Sequence, residues 1–434
     1  MRLLAIFITA FLYITFCPAG AEVTLTPQGR LAIGSNITLE WRHNPAWQPI
    51  VIQGHPVLRN NTATLSGQCR FNGKLGADAE FSLTGIAENQ WMYHATLYGI
   101  GATQHIYAEI KLPADNPTDV EVNGKVYHLT ERKQQNDILT WSPVQKNNSM
   151  RIEADDGVYT ISGDFSAAIS DLRGATGENF YSITIYVPES SQEKRFDMNV
   201  NIRREPVQIQ PIDISQAANM GFADQKPDDY TGGWTDQGPD NDMAAFNLFG
   251  QQEFAGIPFN IINPLYNHGR SCIVTASTGN LPDAAPIILQ PAAKARYLYL
   301  LHAAAWPPEN GRPNGIIKLT FDDQSSSEIP VISGKDCGNW WNPVFSFENA
   351  LSGWTGSNRS GQIGLFVSAF QIPEKPLQKI QFIPQNGMWM IAGAALGNIR
   401  PQRNGERRMT IKANENWQPV ELPVQFIKNS VMDF

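Results

Sequence analysis

The sequence predicts an all-β fold: an N-terminal antiparallel β-sandwich followed by a second, jelly-roll-type β-sandwich. Three observations carry this. Only 17% of the 434 residues are charged while 10% are aromatic; the charged fraction is below the roughly 25% usual for soluble domains, and long helical bundles need Glu, Lys and Arg on their wet faces. Apolar residues alternate along many short segments, the period of a half-buried strand, and no segment sustains the 3.6-residue period of a helix. Gly (35) and Pro (29) punctuate these segments at the density of a turn-rich chain, and many short strands with turns between them must stack or close. The length exceeds what one core fills, about 250–300 residues, so more than one domain is expected.

The elements follow in order. Residues 1–21 have the form of a secretory signal peptide: Arg2, an apolar run from Leu3 to Phe16, and the small-residue site Ala19-Gly20-Ala21. From Glu22 to Arg204 one strand succeeds another. Examples are Val23–Thr26, Ile37–Trp41, Ala79–Leu83, His105–Ile110, Ile152–Ile169, Tyr181–Val187 and Phe196–Ile202. Within this domain (22–204) the segment Val120–Tyr127 reads as a hairpin, because Asn123-Gly124 supplies the positive φ angles of a type I′ turn. A second domain, 205–398, opens with Val207–Asp213 and a Gly- and Asp-rich loop, Gln225–Asp242. Strands follow at Ser271–Ala276, Ile287–Leu289, Arg296–Ala304, Ile316–Phe321, Gln362–Phe370, Leu377–Ile383 and Met388–Leu396. Residues 399–434 read as a polar tail or linker ending in a strand-like Pro419–Ile427.

Charge narrows the function. A net charge of -8 without basic clusters argues against nucleic-acid binding. Beyond the signal segment no run is apolar for the ~18 residues that a membrane helix needs, so the processed chain is expected in the periplasm or outside the cell. With Cys17 removed, Cys69, Cys272 and Cys337 remain. An odd count leaves one thiol over, and Cys272 with Cys337 is a pairing open to an oxidising compartment. Sequons stand at Asn36, Asn60, Asn147 and Asn358, a match that chance often supplies.

A family resemblance enters at residues 229–242, DYTGGWTDQGPDND. This stretch resembles the opening of galactose-binding-like β-sandwich modules attached to secreted bacterial glycoside hydrolases. The runs 297–306 (YLYLLHAAAW), 337–343 (CGNWWNP) and 391–396 (IAGAAL) are similar to later parts of such modules. The resemblance covers roughly 207–398. It implies a jelly-roll fold, and it points to a carbohydrate ligand and a structural calcium ion, although many such modules are structural. The first domain is similar only in general style to the sandwiches that precede catalytic barrels, and the tail looks like the lead-in to such a barrel.

Two sets of residues are candidates for chemistry. Asp228, Asp229, Asp236, Asp240 and Asp242 crowd one loop. Clustered carboxylates suit calcium, which takes ~6–8 oxygens in flexible geometry; equally, Asp side chains in loops form Asx-turns. Trp234, Trp341 and Trp354, with Asn342 and Arg359, suit a sugar, since an indole stacks on the apolar face of a pyranose and amides reach its hydroxyls. Asn339, Asp336 and His302 stand nearby in sequence, whereas Trp306 and Trp340 read rather as plugs at the end of the sandwich. Catalytic signals are weak. The histidines of the first domain lack metal spacing, and Gly163–Ser166 lacks the strand–turn–helix setting of a nucleophile elbow. Acidic pairs such as Glu153 with Asp155, or Asp322 with Asp323, are expected by chance among 41 Asp and Glu.

The leading reading is therefore a secreted, non-catalytic carbohydrate-binding protein, the accessory part of a polysaccharide-degrading glycoside hydrolase system. Two others stay open: a glycosidase or polysaccharide lyase working in the first sandwich, and a structural or adhesive surface protein.

Overall fold

A computed structural model describes residues 23–401 except 35–36, 45–47, 72–73, 99–104, 114–118, 130–139, 155, 173–178, 187–188, 191–194, 278–280, 282 and 345–346. The signal segment, the tail beyond residue 401 and the sequon at Asn36 lie outside the described residues. The described chain is all-β, with one 3-10 turn at Pro264–Tyr266. Among the described residues no helix is long and apolar enough to cross a membrane.

In the first half, antiparallel pairing passes from Thr62–Phe71 to Lys74–Ala87, Gln90–Tyr98, Arg195–Pro206 and Gly157–Asp171. It continues to Phe180–Tyr186, His105–Pro113 and Ile37–Asn44. The short strands Gln48–Pro49 and Val51–Gln53 then lead back to Thr62–Phe71, so the layers share hydrogen-bonded edges. Alternation does the sorting. In Arg195–Pro206, Phe196, Met198, Val200 and Ile202 are buried while their neighbours face outward. These side chains join one core with Trp41, Leu65, Phe81, Tyr93 and Phe165. The hairpin at Asn123-Gly124 is present, with φ of 49° and 81°, the signs that a type I′ turn requires.

The second half has a central sheet ordered Ile209–Ile212, Met388–Gly397, Tyr297–Ala305, Gln362–Gln371 and Ala350–Ser357, with Ile273–Ala276 also paired to Met388–Gly397. Every residue of Tyr297–Ala305 is buried. A strand covered on both faces reads as a nearly continuous apolar run, and this stretch does so with His302 its one strongly polar member. One face carries Leu298, Leu300 and Ala304 and packs on a sheet of Ile287–Lys294, Pro376–Pro384, Pro313–Phe321 and Ser326–Ile332. The other face carries Tyr299, Leu301 and Ala303. It is covered by Trp234 of the Asp-rich loop, by Met220, Phe222, Met243 and Phe246 flanking that loop, and by the hairpin Gly250–Phe254/Ile257–Ile261.

This arrangement corrects two expectations. The Asp-rich segment is no free loop: apolar side chains at intervals nail it to the sheet. Cys272 and Cys337 are not paired. Both are free and buried, and they belong to cores on opposite faces of the central sheet. Burial raises both thiols far above their ordinary range, so they behave as small apolar residues.

Candidate functional site

The central sheet ends where the segment 337–343 crosses it. Trp340 N–H donates to the Ala304 carbonyl at 2.9 Å, and Gly364 N–H donates to the Trp340 carbonyl at 2.9 Å. Backbone pairing thereby fixes this short stretch against two central strands. Its side chains continue a row of indoles running outward from the core. Trp234 has no exposed surface. It meets Trp340 edge-to-face at 5.1 Å and 68°, and Trp340 meets Trp341 at 5.3 Å and 72°. Such packing favours one ring geometry, so the half-buried outer indole is held by the two within. Gly361 lies against Trp341, where an added Cβ would come 3.2 Å from the ring.

Trp306 follows directly on the doubly buried strand and is 56% exposed at a φ of 48°. Its turn depends on Gly387, which has a φ of 65° and whose Cβ would lie 2.3 Å from the Trp306 carbonyl oxygen. Trp306, Trp340 and Trp341, with Gln237, Asn241 and Asn339, line an open cleft of about 310 Å³. None of these six side chains carries a charge at neutral pH. Flat apolar rings beside uncharged amides suit a neutral ligand rich in hydroxyls.

Among the sugar-binding candidates, Trp341 alone lines this cleft. Trp234 is corrected to a core residue, since a ring without exposed surface cannot stack on a ligand. Trp354 stands on the edge strand of the central sheet and packs edge-on against Phe246 of its cover at 4.9 Å. Asn342 is exposed at a φ of 47° but lies outside the lining. Arg359 makes a surface ion pair with Asp240 at 2.9 Å, with 79% of its side chain exposed. His302 is buried: Trp389 Nε1 donates to its Nδ1 at 2.9 Å and its Nε2 faces Ser368 Oγ at 2.9 Å. Burial lowers its pKa to about 3, keeping it neutral.

The acidic loop is rearranged in a similar way. Carboxylate oxygens of Asp224, Asp229 and Asp236 converge within 4.8 Å of one another. Two of these were candidates from sequence; Asp224, buried beside the anchor Phe222, was not. Asp236 accepts the N–H groups of Asp229 and Tyr230 at 3.1 Å each. Asp224 accepts from Lys226 at 3.1 Å and Gly238 at 2.7 Å. Hydrogen bonds from Thr231 lower the pKa of Asp229. Asp228 is exposed and outside the group. Asp240 faces Arg359, and Asp242 accepts from the Asp224 and Ala244 N–H groups at 3.0 Å each. Asp240 and Asp242 thus serve as ion-pair partner and backbone cap.

The acidic pairs of the sequence are likewise placed. Asp323 is held by Lys375 at 2.7 Å. Glu153 is buried against the second half of the chain, hydrogen-bonded to Tyr297 at 2.9 Å, and Asp155 lies outside the described residues. No protein-family model matches the chain, and no curated protein matches it.

Proposed function

We propose that the second half of the chain binds a neutral glycan in the Trp306–Trp341 cleft, and that the protein is a secreted, non-catalytic accessory unit of a polysaccharide-degrading system. One observation carries this reading: the cleft offers two accessible indoles and three amides with no charged side chain among its lining. The three-layer sandwich around it is compatible with a jelly roll, and the resemblance of residues 207–398 to galactose-binding-like modules agrees. Sugar–aromatic stacking is modest, so a single site is expected to bind with a Kd of about 10 μM to 1 mM. That strength suits a unit tethered to an enzyme on a polymer, where several weak sites gain avidity.

Under the same reading calcium is the ion that Asp224, Asp229 and Asp236 would hold, because hard carboxylate oxygens are its preferred ligands. It would fix the loop that carries Gln237 and Asn241. Export would remove residues 1–21, and N-terminal sequencing of protein from a secreting bacterial host should then begin at Glu22. The test of binding is retention in native gels cast with a panel of neutral plant and algal polysaccharides. The full chain should be retarded by at least one of them, and Trp306→Ala should run free. Equal mobility in every gel would remove the glycan reading.

A further inference from the structure

The two halves of the chain meet on buried ionisable groups that the glycan reading leaves unused. Tyr297 opens the long central strand of the second half and is 1% exposed. Its hydroxyl lies 2.8 Å from Asp119 Oδ2 and 2.9 Å from Glu153 Oε1, both in the first half and both buried. A phenol has one proton and donates it once. The second oxygen–oxygen contact is a hydrogen bond only where the carboxyl holds a proton of its own and donates it back.

The neighbours say which carboxyl that is. Asp119 Oδ1 accepts from the Arg400 guanidinium at 3.1 Å, which matches its ionised form. Glu153 Oε2 accepts the backbone N–H of Arg400 at 2.8 Å. Arg296 is the cation facing Glu153, yet its Nε stands 3.8 Å off and donates to the Tyr297 hydroxyl at 3.3 Å. Its Nη1 is drawn 2.6 Å from Glu121 and 3.4 Å from Glu374. Arg151, on the strand of Glu153, is taken by Glu374 at 3.0 Å and Glu205 at 3.4 Å. All polar atoms of the trio are satisfied when Tyr297 donates to Asp119 and a protonated Glu153 donates to Tyr297.

We propose that Glu153, Tyr297 and Asp119 share a proton that ties the two halves together, so that their docking is tighter in mildly acidic than in mildly alkaline solution. Burial, and then the Asp119 charge, raises the Glu153 pKa from 4.5 to about 7. Burial pushes Tyr297 well above its usual range, so its own proton stays. A docked state with the higher pKa binds a proton that the undocked state releases. The stabilisation is complete below about pH 4.5 and is lost as the pH rises through 7.

Glu153→Gln tests this in the full chain, because an amide keeps the shape and supplies a permanent donor to Tyr297. Melting curves of both proteins are recorded from about pH 5 to pH 8. Relative to the variant, the wild type should lose several degrees of melting temperature across this range, leaving the variant the more stable at pH 8. Parallel curves would overturn the proposal. Should the variant fail to fold, infrared difference spectra of the wild type give a second reading. A protonated-carboxyl band that disappears between about pH 6 and 8 in the folded protein supports the shared proton, and folded protein without such a band at pH 6 refutes it.

Discussion

At the scale of single residues, burial reassigns several side chains whose type alone suggested a ligand contact. His302 is the clearest case. Its ring bridges Trp389 and Ser368, and the Ser368 hydroxyl donates onward to the Asp336 carbonyl at 2.7 Å. His302→Ala opens a cavity and orphans a buried indole N–H, so urea unfolding should show a loss of about 2–5 kcal/mol. The pH sign is opposite to that of Glu153. The unfolded chain protonates His302 near 6.5 while the folded one holds it to about 3. Stability therefore falls as the pH drops from 6.5 toward 3, and a His302→Ala variant that folds should lack this part of the acid sensitivity. Trp354→Ala belongs here too. Its ring packs on Phe246 outside the cleft, so it should lower stability by about 3 kcal/mol or more and leave polysaccharide retention unchanged.

At the scale of elements, the strands were legible wherever one periodicity ruled. Alternation revealed Phe196–Ile202, the Asn-Gly pair revealed its hairpin, and the apolar run revealed the strand at Tyr297, though not that both its faces are covered. Strands without an apolar rhythm were missed. Thr62–Phe71 is mostly small and polar, and Ser326–Ile332 alternates exposed with half-covered residues at a sheet edge. The Asp-rich segment hid its architecture differently. Its acids dominate the composition, while its placement is set by Trp234 within it and by Met220, Phe222, Met243 and Phe246 on its flanks, whose common target, the second face of the central sheet, no local pattern reveals. Trp306 had a usable signal, since an aromatic immediately after a doubly buried strand must emerge at its end. If Asp224, Asp229 and Asp236 hold calcium, a chelator should lower the melting temperature and added calcium should restore it, by RT ln(1 + [L]/Kd). Asp224→Asn should abolish that response. Identical melting with and without chelator would leave the three carboxylates as backbone caps alone.

At the scale of the whole molecule, the all-β class followed from composition and period. How the halves meet did not, because it rests on Asp119, Glu153, Tyr297 and Arg400, residues far apart in the chain and unremarkable one by one. The cleft is non-local in the same way: the Asp-rich loop brings Gln237 and Asn241, the end of a central strand Trp306, and the 337–343 crossing Asn339, Trp340 and Trp341. Calorimetric titration of the full chain with the best-retained polysaccharide, on wild type and on Trp341→Ala, is the most direct measurement of the central claim. The wild type should bind with a Kd of about 10 μM to 1 mM. The variant, melting within a few degrees of the wild type, should lose binding at least tenfold. Equal heats of binding for a folded Trp341→Ala protein would contradict the assignment of the cleft.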